Sequence, residues 1–393
     1  MKLFVRTLMA VTLVMSSSVP HIFAKEDNQS KANTPNLAEN AKSAMLIERD
    51  TGTVLFEKNA DEQLPPASMT KIMTMLLIME AIDNGALTFE DKVRTSEHAA
   101  SMGGSQIFLE AGEEMTVDEM LRGIAIASGN DASVAMAEKI AGSEEAFVQK
   151  MNEKAKELGL KNTTFQNPTG LPAENHYSTA RDMAIMAKEL LKYEGITKYT
   201  GVYEDYLRED TDKKFWLVNT NRLVKFYKGV DGIKTGYTRE AKYCLTATAK
   251  KDNMRVIAVV FGASTPKDRN AQITKMLDYA FSQYMSHPLM ERGEFITEVK
   301  VGKGMEPYVN GVANESVSVL TKKGDTVEDV EKVIELNDSI KAPIQKDDEL
   351  GKLILKKGDK VLSKTLIVAE SDVKEASWWK LFKRSFSKFA GLS

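Results

Sequence analysis

The period of the apolar residues changes twice along this chain, and the order of those changes restricts the fold. The stretch "SAMLIERDTGTVLFEKN" alternates apolar and polar residues on both sides of Asp50-Thr51-Gly52, which predicts a β-hairpin. From Ser68 the spacing switches. Ile72, Met75, Leu76 and Met79 stand three and four apart, and Thr116 with Glu119 offers a capping box for "VDEMLRGIAIAS". Period two returns in "YCLTATAK" and in "RVIAVVFGA" near residue 260. Helices are therefore expected to fill residues 68–195, with strands on either side. That order predicts an α+β fold, an antiparallel sheet with its helices segregated from it, rather than a βαβ repeat.

From about residue 292 the texture becomes short alternating runs, "FITEVKVGKG", "ESVSVLTKKGD", "LGKLILKKGDKVL" and "TLIVAE", broken by Gly-Asp and Lys-Lys turns. This reads as a small all-β module without an acid–base cluster or metal-ligand spacing. The last segment, "EASWWKLFKRSFSKFAGLS" (375–393), has a helical pattern. At about 100° per residue, Trp378, Trp379, Leu381, Phe382, Phe386, Phe389 and Leu392 gather on one side. Lys380, Lys383, Arg384 and Lys388 take the other, a composition suited to a helix lying in a membrane interface over anionic lipids. A terminal helix docked on its own domain is the alternative.

At the other end, Lys2 and Arg6 precede an apolar stretch from Leu8 to Met15 and small or polar residues up to Ala24, the anatomy of a secretory signal. Its apolar core is much shorter than the about 20 residues needed to span a bilayer. Export is expected, with the mature chain peripheral on the outer face of the cytoplasmic membrane. The expected organisation is signal 1–24, polar linker 25–40, first domain 41–290, β-rich domain 291–373 and terminal helix 374–393. A net charge of −3 from 53 basic and 56 acidic residues provides no field for nucleic acid, which is not expected as a partner. Cys244 is the only cysteine, so no internal disulfide is possible, and its alternating strand context suits a small buried packing residue.

Ser68 and Lys71 stand three apart at the head of the long apolar run. A serine hydroxyl needs a neighbouring base to act as a nucleophile at neutral pH, and a lysine can be that base if desolvation or another cation lowers its pKa. Residues three apart on a helix share a face, and a helix entrance adds a positive dipole end and a free N–H for a developing oxyanion. A capping serine followed by a snorkelling lysine would give the same pattern. Ser-x-x-Lys also recurs at Ser264/Lys267, Ser371/Lys374, Ser377/Lys380 and Ser385/Lys388, so the spacing alone does not decide.

Two further motifs narrow the choice: "SGND" from Ser128 to Asp131 and "DGIKTGYT" at 231–238. Each tripeptide, SGN and KTG, has roughly one chance in ten of occurring in a chain this long at average residue usage, and their ordered appearance after Ser-x-x-Lys is much rarer. The set resembles the penicillin-interacting serine acyl-transferases, whose motifs are S-x-x-K, S-x-N and K-T-G. Through "MGGSQIFLEAGEEMTVDEMLRGIAIASGNDASVAMAE", "NPTGL", "HYSTARDMA" and "NTNRL", the likeness covers most of residues 40–265. It is to the low-molecular-mass D-alanyl-D-alanine carboxypeptidases of bacterial walls, in their Gram-positive, spore-former form, where some members serve vegetative walls and some sporulation. The β-rich module, with "KAPIQKDDELGKLIL", resembles that family's C-terminal domain.

The resemblance implies a fold of the penicillin-binding type, peptidoglycan pentapeptides as substrate, β-lactams as inhibitors and no cofactor or metal. It makes Ser68 the acylated nucleophile, Lys71 its base and Ser128 a proton relay toward the leaving D-alanine. Asn130 would hold the substrate amide, and Lys234 would supply the second cation. Thr235 and Arg222 would grip the terminal carboxylate, with Gly236 completing the K-T-G motif and the N–H groups of Ser68 and Tyr237 holding the oxyanion. Taken as bare residues, Gly129 and Asn130 could equally form a helix C-cap, Lys234-Thr235-Gly236 a turn into a strand, and Arg222 a surface charge.

Two positions depart from the family pattern: Tyr237, where the side chain's chemistry is open, and Lys242, where glycine is frequent. A β-lactamase would need a carboxylate to activate the deacylating water, and Glu174 is the nearest candidate, although its surroundings match the carboxypeptidases better. There is no G-x-S-x-G elbow or H-E-x-x-H, and His98, His176 and His287 read as surface or core. A catalytically idle wall-binding protein is the remaining rival, against which the three complete motifs argue.

Overall fold

The computed structural model describes residues 36–389, apart from Thr326 and Glu328. The expected signal 1–24 and most of the linker lie outside the described residues, as does Leu392.

Five strands form one antiparallel sheet in the order Val54–Lys58, Ser43–Glu48, Met254–Ala263, Lys242–Lys251, Val230–Thr238. The hairpin around Asp50-Thr51-Gly52 is present. Glu48 closes it, its carboxylate accepting from the N–H groups of Asp50 and Thr51 and from the Thr51 hydroxyl. The first and last strands of the catalytic domain thus meet in one sheet while the long helical insertion packs on one face, the α+β arrangement that the change of period predicts. Beneath the other face lie the helix Pro266–Gln283 and, ahead of the first strand, Leu37, Ala38 and Ala41. Leu37 and Ala38 are buried, so the folded region starts inside the segment read as polar linker.

Within the helical insertion, Lys71–Asp83 is buried on nearly every side, including its polar Thr74 and Lys71. A helix enclosed by others needs apolar residues all round, which explains why its sequence is a run more than a stripe. Thr116 and Glu119 form the expected capping box on Val117–Ala125. Two short hairpins escaped the sequence reading. Lys92–Arg94 pairs with Glu114–Thr116, and Glu204–Leu207 pairs with Phe215–Val218. Each strand is three or four residues long, too short for alternation to register.

The β-rich domain has its own core around Val299, Leu353 and Ile367. Its limits are wider than expected at both ends. Tyr284–Met290 pairs with Val317–Lys322, so the domain begins at 284 and not 291. At the far end Glu375 bridges to Gly304 and Ala376 is buried, so it closes at 376 and not 373. Two contacts tie the domains together: Lys188 pairs with Glu315 at 2.8 Å, and Arg292 donates to the Lys192 carbonyl and Asp83 while lying over the Tyr193 ring.

The terminal helix, Trp378–Phe389, exposes Trp378, Trp379, Phe382 and Phe386. Arg384, assigned to the free basic face, instead donates to the carbonyls of Gly304 and Met305 and fastens the helix to the β-rich domain. The long arginine reaches backbone carbonyls of the neighbouring domain, a contact that helical periodicity cannot foresee.

Candidate active site

Ser68 lies in a 3-10 turn, Ala67–Thr70, that runs directly into the helix beginning at Lys71. Ala67 is left-handed, with φ of 48°, so the chain bends sharply just ahead of Ser68. The edge strand Val230–Thr238 packs on this turn so closely that a Cβ at Gly236 would fall 2.6 Å from the Pro66 carbonyl. On the other side Gly170 (φ 81°) approaches until an added Cβ would lie 1.9 Å from the Ala67 carbonyl oxygen. Only glycine fits either place.

Lys71 is wholly buried, and its Nζ lies 2.6 Å from Asn130 Oδ1, 2.7 Å from the Thr169 carbonyl and 3.3 Å from Ser68 Oγ. Burial, and after it the cation of Lys234, hold this amine well below its ordinary pKa, against a smaller opposing pull from Asp131. A neutral lysine amine has two N–H donors and one lone pair. The two short contacts take both donors. With the amine neutral, its lone pair would be left on the side of the Ser68 hydroxyl.

The groups around Lys71 are themselves fixed. Asn130 donates through Nδ2 to the Gly103 carbonyl and through its backbone N–H to the Ser105 carbonyl, both at 2.7 Å. Asp131 accepts the backbone N–H groups of Ile107 and Leu109, which anchors the same loop. The C-cap alternative for Gly129 and Asn130 is corrected here, because Gly129 is the N-cap of Asn130–Ala141 and Asn130 its first residue. Ser128 occupies the turn before it in left-handed conformation (φ 66°), and its buried Oγ has no hydrogen-bond partner among the described residues.

Lys234, Thr235 and Gly236 lie on the edge strand itself, so the turn alternative fails as well. Lys234 is buried, with Nζ 3.4 Å from the Thr235 carbonyl; burial first, and then Arg269, lower its pKa to about 7. Thr235 Oγ1 donates to Thr220 Oγ1 at 2.7 Å. Tyr237 is exposed, its ring stacked 4.5 Å from Tyr243. Lys242 has a φ of 58°, which accounts physically for the glycine frequent at that position. Arg222 is two residues from Thr220 but exposed, and its guanidinium makes no hydrogen bond or ion pair with a described residue.

Hydrogen bonds thus join Ser68, Lys71 and Asn130, while charge couples Lys234 to them; Arg222 stands outside the cluster. The Thr169 carbonyl and Gly170 lie within "NPTGL", a stretch whose residue types carry family likeness but no role, since backbone groups leave no residue-type signal. His176 is buried: its Nδ1 accepts from the Gln166 N–H at 3.1 Å, which leaves Nε2–H to donate to Thr70 Oγ1 at 2.8 Å. Burial pushes its pKa down to about 4, so the ring is neutral and serves to tie the Thr169 loop to the residue before Lys71. Glu174 is exposed beside an open groove of about 670 Å³ lined by Leu64, Gly170, His176 and Glu240. Among the described residues no carboxylate hydrogen-bonds Ser68 or Lys71, and no His, Cys, Asp and Glu group has metal-site geometry.

Residues 28–265 match the family described as D-alanyl-D-alanine carboxypeptidase, peptidase S11. The chain belongs to this family. Residues 284–375 match the C-terminal domain of penicillin-binding protein 5, in agreement with the boundaries drawn from strand pairing. The chain is 66% identical to the D-alanyl-D-alanine carboxypeptidase DacF of Bacillus subtilis (strain 168), with 98% of each covered. Identity to the carboxypeptidase DacA of Escherichia coli (strain K12) is 33%, over 94% of this chain and 93% of that one. The crystal structure of penicillin-binding protein 5 from Haemophilus influenzae superposes with a TM-score of 0.67 at 31% identity, covering 87% of this chain and 99% of that one. This is a serine-type D-Ala-D-Ala carboxypeptidase of the penicillin-binding class.

Gly170→Ala tests the packing of the carboxypeptidase site. Its Cβ has to push the Thr169 loop off the Ala67 carbonyl, so the variant should lose about 2 kcal/mol or more of stability from the left-handed backbone and the clash. Penicillin acylation, followed by mass spectrometry below the lowered melting point, should slow at the same time. Unchanged acylation would mean that the Thr169 carbonyl is dispensable.

Proposed function

We propose that this carboxypeptidase removes the terminal D-alanine of peptidoglycan pentapeptides through an acyl-enzyme on Ser68. The observation that carries the proposal is the pair of short contacts from the Lys71 amine to Asn130 Oδ1 and the Thr169 carbonyl, which leaves its lone pair for Ser68. Ser68 Oγ gives its proton to Lys71 as it bonds to the penultimate carbonyl carbon. The negative oxygen that forms is held by the N–H groups of Ser68 and Tyr237. As the C–N bond breaks, the proton passes from Lys71 through the otherwise unpartnered Ser128 hydroxyl to the departing amine. A water then loses a proton to Lys71 and attacks the ester, and Ser68 Oγ recovers its proton as the O–C bond breaks. Among the described residues no carboxylate hydrogen-bonds Ser68 or Lys71, which supports Lys71 over a β-lactamase-type carboxylate as the base for this water.

Substrate recognition falls to the edge strand. Lys234 draws the terminal carboxylate and Thr235 turns its hydroxyl from Thr220 to donate to it; Arg222, exposed two residues beyond Thr220, adds a second cation when substrate brings a carboxylate to it. Asn130 has an amide able to serve both Lys71 and the substrate backbone. The test is D-alanine release from a peptide ending in D-Ala-D-Ala, with Ser68→Ala inactive and one penicillin mass on the peptide containing Ser68. An adduct on another serine would refute the assignment.

The two lysines must differ in charge, and that sets a pH profile. Lys71 works deprotonated and Lys234 protonated, so kcat/KM should fall as pH rises through about 7, where Lys234 loses its proton. Lys234→Arg keeps the charge at all working pH and should move that fall to higher pH while lowering the maximum through altered geometry. An unshifted falling limb would assign it to another group.

We infer further that the mature chain works at the wall from the outer face of the cytoplasmic membrane. The signal-like 1–24 supports export, and among the described residues no helix is long and apolar enough to cross a bilayer. In the helix Trp378–Phe389 the exposed Trp378, Trp379 and Phe382 rings lie 5.4 to 6.1 Å from one another, and Phe386 lies 6.2 Å from Phe382, which extends the apolar patch. Such a patch beside lysines favours an anionic bilayer surface. The full mature chain should sediment with anionic liposomes. A chain ending at Ala376, with its β-rich core complete, should remain in the supernatant and keep its activity; equal sedimentation of both would remove the anchor.

A further inference from the structure

The open groove of about 670 Å³ beside the serine turn takes no part in acyl transfer. Its walls are residues 63–65 ahead of that turn, the loop 170–177, and Thr238 with Glu240 at the end of the edge strand. It adjoins the reacting groups on two sides. Gly170 lines it and packs against the Ala67 carbonyl, one residue before Ser68, while Thr238 stands two residues beyond Gly236. The edge strand gives a bound peptide its direction. One side of Val230–Thr238 is unpaired, so an extended chain can lie along it as a further strand. In the proposed reaction the terminal carboxylate lies at Lys234 and Thr235 and the reacting carbonyl oxygen at the Tyr237 N–H. The residue ahead of the penultimate D-alanine then falls about 3.4 Å further along, beside Thr238, where the groove begins.

A side chain entering there meets hydrocarbon and acid. Leu64, Pro65, Leu171 and Pro172 supply apolar wall, and Glu174 and Glu240 supply carboxylates from two different segments of the lining. Both carboxylates are exposed, and neither makes an ion pair or hydrogen bond with a described residue. Nothing in the lining balances them. Among the residues that form it there is no lysine or arginine, and burial keeps His176 neutral. Arg239, between Thr238 and Glu240 in sequence, is exposed and outside the lining. Two unbalanced negative charges above an alkyl wall match a run of methylene groups that ends in an ammonium.

We propose that this groove binds the side chain of the stem residue ahead of D-Ala-D-Ala, and that Glu174 and Glu240 select a diamino acid whose distal amine is free. The proposal rests on D-alanine release from peptidoglycan stems through Ser68. The methylene groups lie against the apolar wall and the ammonium is held between the carboxylates. Acylation of that amine, as in a stem joined to another through it, removes the charge and adds bulk. The groove therefore distinguishes a free stem from a joined one. Because both carboxylates are exposed, each contact is individually weak and screened by salt.

The test uses the full mature chain and two soluble peptides: Nα-acetyl-L-Lys-D-Ala-D-Ala, with its ε-amine free, and the Nα,Nε-diacetyl form. At low salt kcat/KM for D-alanine release should be roughly fivefold higher with the free amine, the worth of two exposed ion pairs, and the preference should shrink as salt is added. In the double variant Glu174→Gln, Glu240→Gln the preference should vanish, while the diacetyl rate and penicillin acylation of Ser68 stay at wild-type values. Equal kcat/KM on both peptides in the wild type, or a preference that survives in the double variant, would overturn the proposal. A loss on both peptides alike would also overturn it, by placing the carboxylates in the reaction or the fold. Release from neither peptide would instead overturn the carboxypeptidase reading itself, and the role of the groove with it.

Discussion

A lysine amine enclosed in protein is the constraint on which the rest of this structure depends. Keeping Lys71 charged inside would be costly, and burial with the nearby Lys234 cation holds its pKa well below the ordinary value; a neutral amine there has two N–H groups that require fixed acceptors. Asn130 and the Thr169 carbonyl are those acceptors, contributed by segments 59 and 98 residues away along the chain. Each is held by a network of its own: Asn130 by the loop that Asp131 anchors, Thr169 by a loop that neutral His176 ties back to Thr70. The lone pair is left with one neighbour, Ser68. Architecture that looks distant from the chemistry is thus spent on orienting one nitrogen.

The antiparallel sheet explains how a second cation is brought near without pairing with the first. Placing the K-T-G segment on an edge strand leaves one side of it open to a substrate backbone and the other paired with Lys242–Lys251. Gly236 lets that edge approach the serine turn, and burial beside Arg269 leaves Lys234 poised near neutral pH. A cation there depresses the pKa of Lys71, and in the proposed reaction it would also meet the terminal carboxylate of the substrate.

Much of this was legible in the sequence because it depends on side-chain type. The two periods gave the α+β class, and three short motifs pointed to Ser68, Lys71, Asn130 and Lys234, which the fold brings together around one buried amine. What stayed hidden depends on backbone. The Thr169 carbonyl, the left-handed turns at Ala67 and Ser128 and the helix that starts at Asn130 carry no signature in residue type. Boundaries failed for a related reason: Tyr284–Met290 and Glu375 join the β-rich domain by strand pairing across long separations, which local alternation cannot reveal. Arg384 likewise looked like part of a free basic face because its carbonyl partners lie 79 and 80 residues away.

The central claim is that Lys71 is neutral in the resting enzyme, and it can be measured without turnover. Selective carbon-13 labelling at lysine Cε, with Lys71→Arg to assign the resonance, would follow the Lys71 titration by nuclear magnetic resonance. A midpoint well below the ordinary 10.5, moving upward when the neighbouring cation is removed in Lys234→Gln, is the result this account predicts. A Lys71 resonance that titrates at its ordinary value, indifferent to Lys234, would contradict it.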